Sequence, residues 1–264
     1  MVKDLFDGLN PEEKQPRREP HVTTSVLEQL TRGFHVLANQ RTVDESYDTL
    51  RENCKKIIPH QYTAKDVENL SQILNWPEEL DDGDWIAGEY LSALISLAPA
   101  RKFIIHTLDP PRDYANLGVD NTKILDIYGD AKGTLGNCMK SGRIRLFGNA
   151  EEVGTAMRLG KITIEGEATN AGMEMRGGTI LVRKDCHEAG ENMHGGKIII
   201  KGNCKDVGEG MNGGEIYVHG FAVYVGLGMT SGNIYLCGTY KELHGFIGNI
   251  YHHGKLIFKD GKRL

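Results

Sequence analysis

The sequence predicts an α+β protein, in which a mainly helical N-terminal region is followed by a parallel β-helix, or solenoid, with 18-residue rungs. Two observations favour this fold class. A pattern of glycine and methionine recurs every 18 residues through the second half of the chain. The first half instead carries apolar residues at helical spacing behind helix-capping sequences. The chain, at 264 residues, is long enough for one long domain or two smaller ones.

The repeat consists of two glycines with a methionine between them. Its six copies contain Gly136, Met139 and Gly142; Gly154, Met157 and Gly160; Gly172, Met175 and Gly178; Gly190, Met193 and Gly196; Gly208, Met211 and Gly214; and Gly226, Met229 and Gly232. Each copy continues as x-Ile-x-aliphatic, which is the alternation of a β-strand. The unit is too short for a helical repeat, which needs about 34 residues or more. We therefore expect one β-helix over residues 121 to 250.

Equivalent positions in a β-helix stack about 4.8 Å apart, so the repeat also predicts which side chains line the interior. The methionines form one inward ladder, because an unbranched thioether fills irregular space between turns. The glycines belong at corners that need positive φ or close backbone approach. A left-handed hexapeptide helix also has 18 residues per rung, but it needs an aliphatic residue at every sixth position. Leu135, Ser141 and Phe147 do not fit that pattern. A second inward ladder is predicted to be made of small residues: Ala150, Ala168, Cys186, Cys204 and Ala222.

Two capping boxes predict the first helices. Ser25–Glu28 marks the start of a helix over 25–39, and Thr42–Glu45 marks the start of a helix over 43–58. In such a box a hydroxyl and a carboxylate satisfy N–H groups that lack a partner at the helix start.

Two further helices and a strand are predicted before the repeat. Thr63 is placed to cap a helix that ends before Asn75-Trp76-Pro77. A fourth helix spans 84–97 and is stopped by Pro99, since proline cannot continue a helix. Residues 102–108 predict a strand.

These elements suggest a division of the chain. Residues 1–20 are polar enough to be disordered, and 21–112 form a mainly helical domain that ends at the proline-rich junction 109–112. Residues 113–264 then form the β-helix with a C-terminal cap.

Composition narrows the function classes. The formal charge of −5 and the pI near 6.1 provide no general attraction to nucleic acid or anionic lipid. No apolar run approaches the roughly 20 residues of a membrane helix, and the charged N-terminus lacks the apolar stretch of a signal peptide. We therefore expect a cytoplasmic protein without nucleic-acid or membrane partners. The five cysteines include no C-x-x-C pair and are interpreted as reduced thiols.

No catalytic, cofactor-binding or metal-ligating set is predicted, and no cofactor is expected in this chain. The stretch from Gly208 to Gly213 fits G-x-G-x-x-G, but it arises from the repeat, and no helix is predicted after it. Cys186 and Cys204 share a station on adjacent rungs. We interpret them as two small interior residues, and a metal site or a disulfide is the alternative. His187, His194 and the His252-His253 pair are interpreted as exposed turn residues, because none has the spacing of a zinc site.

Two surface ladders are the candidate sites. The outward stripe comprises Leu181, Ile199, Tyr217 and Tyr235, which lie between the two inward residues of their strands. Soluble monomers seldom leave such a stripe bare, so either the helical domain or another protein should cover it. The basic ladder comprises Lys140, Arg158, Arg176 and His194. Its like charges repel unless carboxylates or an anionic partner face them.

The tandem pattern G-x-x-M-x-x-G-x-I-x-[ILV]-x-G resembles the glycine-repeat (GXGXG) β-helix family. That family includes the β-helical subunit of formylmethanofuran dehydrogenase, the matching subunit of the formyltransferase/hydrolase complex, and the C-terminal domain of the glutamate synthase large subunit. The similarity covers about residues 121–250, half of the chain. It implies a right-handed solenoid that holds catalytic domains together and performs no chemistry itself. The helical first half departs from all three relatives.

The resemblance implies a non-catalytic scaffold subunit of a cytoplasmic multisubunit one-carbon-transfer enzyme, similar to the β-helical subunit of formylmethanofuran dehydrogenase. A methanofuran-type cofactor, metal-pterin and iron–sulfur clusters would then belong to partner proteins, since this chain lacks the cysteine sets that such clusters need. One alternative is a glutamate-synthase-type domain that links amidotransferase and synthase parts. Another is a free-standing homo-oligomeric enzyme with a site at the domain junction.

Overall fold

The computed structural model shows four N-terminal helices followed by a parallel β-solenoid of about eight turns, with rungs about 18 residues apart. The fold class predicted from the repeat is therefore confirmed. The structure describes residues 24–40, 46–59, 61–74, 83–107, 114–244, 247–259 and 262–264.

The helices are α1 (Thr24–Gln40), α2 (Tyr47–Ile57), α3 (Ala64–Ile73) and α4 (Gly83–Leu97). The predicted cap of α3 is confirmed. Thr63 Oγ1 accepts from the Asp66 N–H at 3.2 Å, and the Asp66 carboxylate accepts from the Thr63 N–H at 2.8 Å.

The predicted starts of α1 and α2 need correction. Because α1 begins at Thr24, Ser25 lies inside the helix rather than at the cap. Ser46 caps α2, which begins at Tyr47 rather than at residue 43, and the Ser46 Oγ accepts from the Thr49 N–H at 3.3 Å. Its extended backbone, with ψ of 154°, is the conformation that an N-cap residue adopts. The predicted box at Thr42–Glu45 and the predicted stop at 75–77 lie outside the described residues.

The helices pack around α4. Its residues from Ile86 to Ile95 are all buried, and the Tyr90 hydroxyl donates to the Leu30 carbonyl of α1 at 2.7 Å. A helix that is apolar all round is stable only when neighbours cover every face. Tyr90 is fully buried, and this hydrogen bond satisfies its polar end.

The strands form two sheets. The first sheet contains β1 (Lys102–His106), β2 (Ile124–Tyr128), β4 (Arg143–Phe147), β6 (Lys161–Ile164), β8 (Thr179–Val182), β10 (Lys197–Ile200), β12 (Asn212–Val218), β14 (Ser231–Leu236), β15 (Asn249–His252), β16 (Lys255–Lys259) and β17 (Lys262–Arg263). The second sheet contains β3 (Ala131–Leu135), β5 (Ala150–Val153), β7 (Ala168–Ala171), β9 (Cys186–Ala189), β11 (Cys204–Val207) and β13 (Ala222–Val225). Pairing is parallel from β1 to β15 and antiparallel only at β16 and β17.

The repeated glycines and methionines are packing residues. Met139, Met157, Met175, Met193, Met211 and Met229 are all buried, which confirms the inward ladder. Gly190 has a φ of 75°, and a Cβ there would lie 2.4 Å from the Ile216 Cδ1 of the next rung. A Cβ on Gly196, whose φ is 93°, would lie 2.8 Å from the Met175 Cε. Bare backbone is therefore required at both stations.

The helices lie at the β1 end of the solenoid. Helix α3 packs on β1, and the backbone N–H of His106 donates to the Ser71 Oγ at 3.0 Å. The buried side chains of the helices and of the solenoid form one continuous apolar cluster. Strand β1 confirms the predicted strand as far as His106, and residue 108 lies outside the described residues.

Candidate functional site

The outward stripe is continuous in the structure because the strands pair without register shift at this position. Leu181 pairs with Ile199, Ile199 with Tyr217, and Tyr217 with Tyr235. All four side chains are half-buried and face away from the solenoid interior, between buried neighbours. The described helices make their extensive strand contacts with β1, which carries none of the stripe residues. The described helices therefore leave the stripe uncovered.

Tyr251 extends the stripe by one residue beyond the prediction. It pairs with Tyr235, although the interval between them is 16 residues rather than 18. The three tyrosine rings stack face to face, with centroid distances of 4.3 Å from Tyr217 to Tyr235 and 4.8 Å from Tyr235 to Tyr251. Stacking uses the ring faces, so the stripe presents ring edges and hydroxyl groups. Burial, followed by the neighbouring Tyr217 and Glu215, raises the pKa of Tyr235 to about 12.

Charged side chains border the stripe. The Lys197 ammonium lies 4.2 Å from the centroid of the Tyr217 ring and 3.3 Å from the Glu215 carboxylate. The Tyr217 hydroxyl donates to the same carboxylate at 3.1 Å. The stripe at Tyr217 therefore combines a stacked aromatic centre with a charged margin.

At its inner end the stripe meets a buried threonine and an ion-pair network. Thr163 pairs with Leu181 and is 7% exposed. Glu165 accepts from Arg145 at 2.7 Å and from Arg183 at 2.9 Å. This carboxylate pairs with both arginines, so the inner rungs present a charged network, and the apolar face begins at Leu181.

The basic ladder is also present, on the turns that follow the buried methionines. All four side chains are exposed. Lys140 pairs with Asp120 at 2.7 Å, and the His194 Nδ1 lies 2.8 Å from the Asn212 Oδ1. Among the described residues, no carboxylate lies within ion-pair distance of Arg158 or Arg176.

The residues considered for other chemistry occupy structural positions. The G-x-G-x-x-G match leads into strand β12 and not into a helix, so it lacks the setting of a dinucleotide site. Cys186 and Cys204 are buried register partners. A hydrogen bond with Cys186, together with burial, raises the pKa of the Cys204 thiol well above its usual range. Both thiols therefore pack as small interior side chains on adjacent rungs.

A three-residue cluster that the sequence analysis did not identify lies on the second sheet. The His187, Glu188 and Asp206 side chains each offer a ligand atom, and these atoms lie within 4.8 Å of one another. The Lys205 ammonium already lies 3.4 Å from His187 Nε2 and 3.5 Å from the Asp206 carboxylate. The Lys205 ammonium therefore pairs with one of the two carboxylates, and His187 Nδ1 lies 3.3 Å from the other, that of Glu188. Only the register of β9 and β11 brings the three together, which spacing alone does not reveal.

A groove with a volume of about 580 Å³ runs beside this cluster along the corner of the second sheet. Its floor is the small-residue ladder, and one wall includes Asp185 and Asn203. The Asp185 Oδ1 accepts from the Asn203 N–H at 2.7 Å, and the Asn203 Oδ1 accepts from the Phe221 N–H at 2.8 Å. These polar groups are thus used to join successive rungs.

No protein-family model matches the chain, and no curated protein matches it significantly. Within the described part of the chain, no helix is long and apolar enough to cross a membrane. The fold and surface together define a class, a helix-capped parallel β-solenoid with an apolar outward stripe.

Proposed function

We propose that this chain is a non-catalytic scaffold protein that binds a catalytic protein through the outward stripe. The observation that carries the proposal is the unbroken row from Leu181 to Tyr251, which is apolar, half-buried and uncovered by the described helices. The backbone beneath it is already hydrogen-bonded within the sheet. Covering the stripe therefore gains hydrophobic free energy at little polar cost.

The stacked tyrosines favour a protein over a small ligand. Tyr217 and Tyr235 are rigid, wide and held by their neighbours, so ordering them at an interface costs little conformational entropy. Tyrosine is also enriched among the residues that dominate binding energy.

The resemblance of the repeat supports a more specific proposal. A partner that transfers one-carbon units would match a role similar to the β-helical subunit of formylmethanofuran dehydrogenase. A flavin and iron–sulfur synthase as partner would favour the glutamate-synthase-type alternative. An active homomer without any other protein would favour the free-standing enzyme. In the first two cases the redox cofactors belong to the partner.

The test is affinity purification of the tagged chain from its native source, followed by identification and activity assay of a stoichiometric partner. Ile199→Asp and Tyr217→Asp should each abolish copurification, because a charge would be buried in the contact. Truncation of a central interface tyrosine costs about 2 kcal/mol or more, which is roughly a thirty-fold loss of affinity.

Val223→Asp is the matched control, because Val223 is a half-buried, outward β-strand residue on the second sheet. Circular dichroism should show the same folded spectrum for all three variants. Retention of the partner by folded Ile199→Asp and Tyr217→Asp would exclude the stripe as the binding face.

A further inference from the structure

The outer surface of the first sheet is strongly basic on the rungs nearer to the helices. The outward positions of β4, β6, β8 and β10, together with the residue that follows each of the last three strands, hold six cations and one carboxylate. The cations, which we call the cationic face, are Arg143, Arg145, Lys161, Arg183, Lys197 and Lys201, and the carboxylate is Glu165. This surface therefore has a formal charge of +5, whereas the whole chain carries −5.

The cationic face borders the outward stripe on both sides. Because outward residues alternate along a strand, Lys197 and Lys201 lie on opposite sides of Ile199. Lys161 lies two rungs from Lys197 in the same row, since both pair in register with Thr179. The apolar part of the stripe thus runs between two rows that contain cations.

Half of these cations lack a carboxylate partner in the described part of the chain. Three of the six pair with Glu165 or Glu215. Arg143, Lys161 and Lys201 are exposed, and no carboxylate of the described residues lies within ion-pair distance of them. Like charges held on neighbouring rungs repel one another, so this surface is favoured when carboxylates from elsewhere approach it.

The described neighbour of Lys201 does not supply that charge. The Nε2 atom of His219 lies 3.2 Å from the Lys201 ammonium. Burial, and then the charge of Lys201, lower the pKa of His219. At neutral pH the imidazole is therefore uncharged, and the ammonium keeps its full positive charge.

We propose that the protein bound by the outward stripe presents an apolar contact bordered by Asp and Glu side chains, which pair with the cationic face. The inference rests on the proposed function and specifies the chemistry of its partner. Complementary charge at the margin of an interface guides the encounter and sets the orientation of the partner. The cations lie on the rungs nearer to the helices and the stacked tyrosines on the outer rungs, so the acidic part of the partner faces the helical end of the solenoid.

An acidic protein fits this surface better than a nucleic acid does. Phosphates would pair with Lys161 and Lys201, but they would gain nothing from Leu181 and Ile199, which lie between the cations. Proteins that bind single-stranded nucleic acid stack the bases on aromatic ring faces. The ring faces of the stripe tyrosines are instead used by their stacking on one another.

A two-fold dimer through the same surface is also disfavoured. In an isologous contact the same patch meets itself. The cationic face of one copy would then lie against that of the other, and the like charges would repel. A different protein that carries the opposite charge has no such penalty.

Cross-linking of the native complex, obtained by affinity purification of the tagged whole chain, tests the proposal. A carbodiimide joins a lysine amine to a carboxylate only where the two groups are in direct contact. Mass spectrometry should find Lys161 and Lys201 joined to Asp or Glu residues of the partner. Lys205 and Lys241, which are exposed lysines on the side of the second sheet, are the matched controls and should give no cross-link to the partner.

Charge reversal measures how much the pairing contributes to binding. Lys161→Glu/Lys201→Glu should weaken binding of the purified partner at least about tenfold at about 50 mM salt, mainly through slower association. The loss should shrink at about 500 mM salt, because exposed charges are then screened. Lys161→Gln/Lys201→Gln should give an intermediate loss. Lys205→Glu/Lys241→Glu changes the net charge equally and should leave the affinity within about twofold. Circular dichroism should show the native fold for all three, because the substituted side chains are exposed.

The outcomes separate this inference from the scaffold function. If Ile199→Asp releases the partner but Lys161→Glu/Lys201→Glu does not, the stripe is the binding site and the acidic border is refuted. If no partner copurifies with the native chain, the scaffold function and this inference fail together. Cross-links from Lys161 to carboxylates of a second copy would assign the surface to self-association. Binding of oligo-dT that Lys161→Glu/Lys201→Glu abolishes, without cross-links to a partner, would assign it to nucleic acid, and either result would overturn the proposal.

Discussion

Substitution of Met175 by alanine isolates the energetic role of the methionine ladder. Met175 is fully buried, and its Cε lies where a side chain on Gly196 would otherwise be. Replacement of a buried Met by Ala costs about 2 to 5 kcal/mol, and the cost is highest where the surroundings cannot collapse into the cavity.

The surroundings of Met175 are held in place by the solenoid itself. Its carbonyl accepts from the His194 N–H at 2.8 Å and from the Gly195 N–H at 3.1 Å. The turns on either side cannot move inward without breaking these hydrogen bonds. We therefore expect Met175→Ala to lower the free energy of unfolding by about 3 to 5 kcal/mol, in the upper part of the range.

The same turn offers a matched control. Met173 is half-buried and lies outside the ladder, two residues away. Met173→Ala should cost under about 1 kcal/mol, because its side chain remains partly solvated. Urea unfolding followed by circular dichroism measures the free energy of unfolding of both variants. If that free energy falls with urea concentration at the native slope, the variants unfold in the same transition as the native protein and the values can be compared. If the two variants were equally destabilised, burial of the ladder methionines would not be what stabilises the rungs.

The remaining predictions concern the glycine station and the cysteines. Gly190→Ala should destabilise the fold by at least about 2 kcal/mol, through positive φ and a contact with the Ile216 Cδ1 that is too close. Adding Ile216→Val, which removes that Cδ1, should recover part of the loss, and an additive double variant would refute the contact. In the native protein, maleimide at about pH 8 should label exposed Cys237 long before buried Cys204, whose raised pKa keeps it protonated. Rapid labelling of Cys204 in the folded chain would contradict the packed interior.

The regularity of the solenoid explains why its interior could be predicted. Every rung places the same station in the same surroundings, so Met157 and Met193 experience one environment and the same side chain fits both. Local sequence was less decisive at the helix starts. Ser46 caps α2, although the capping-box pattern in the sequence pointed to Thr42, because serine and threonine are both good N-cap residues and the pattern does not choose between them.

The sequence by itself determined the rung length and the inward ladders. It also determined the alternation that turns the outward stripe, Leu181, Ile199, Tyr217 and Tyr235, away from the interior. The reason is that a strict 18-residue period makes residues 18 apart in sequence neighbours in space. The tertiary structure alone decided the features that depend on pairing outside that period. It added Tyr251 to the stripe across a shorter rung, joined Arg145 and Arg183 through Glu165, and brought His187 beside Asp206. It also placed the helices on β1, leaving the stripe uncovered by the described helices. The physical reason is that side-chain reach and the docking of one element on another are set by three-dimensional distances, which no spacing along the chain encodes.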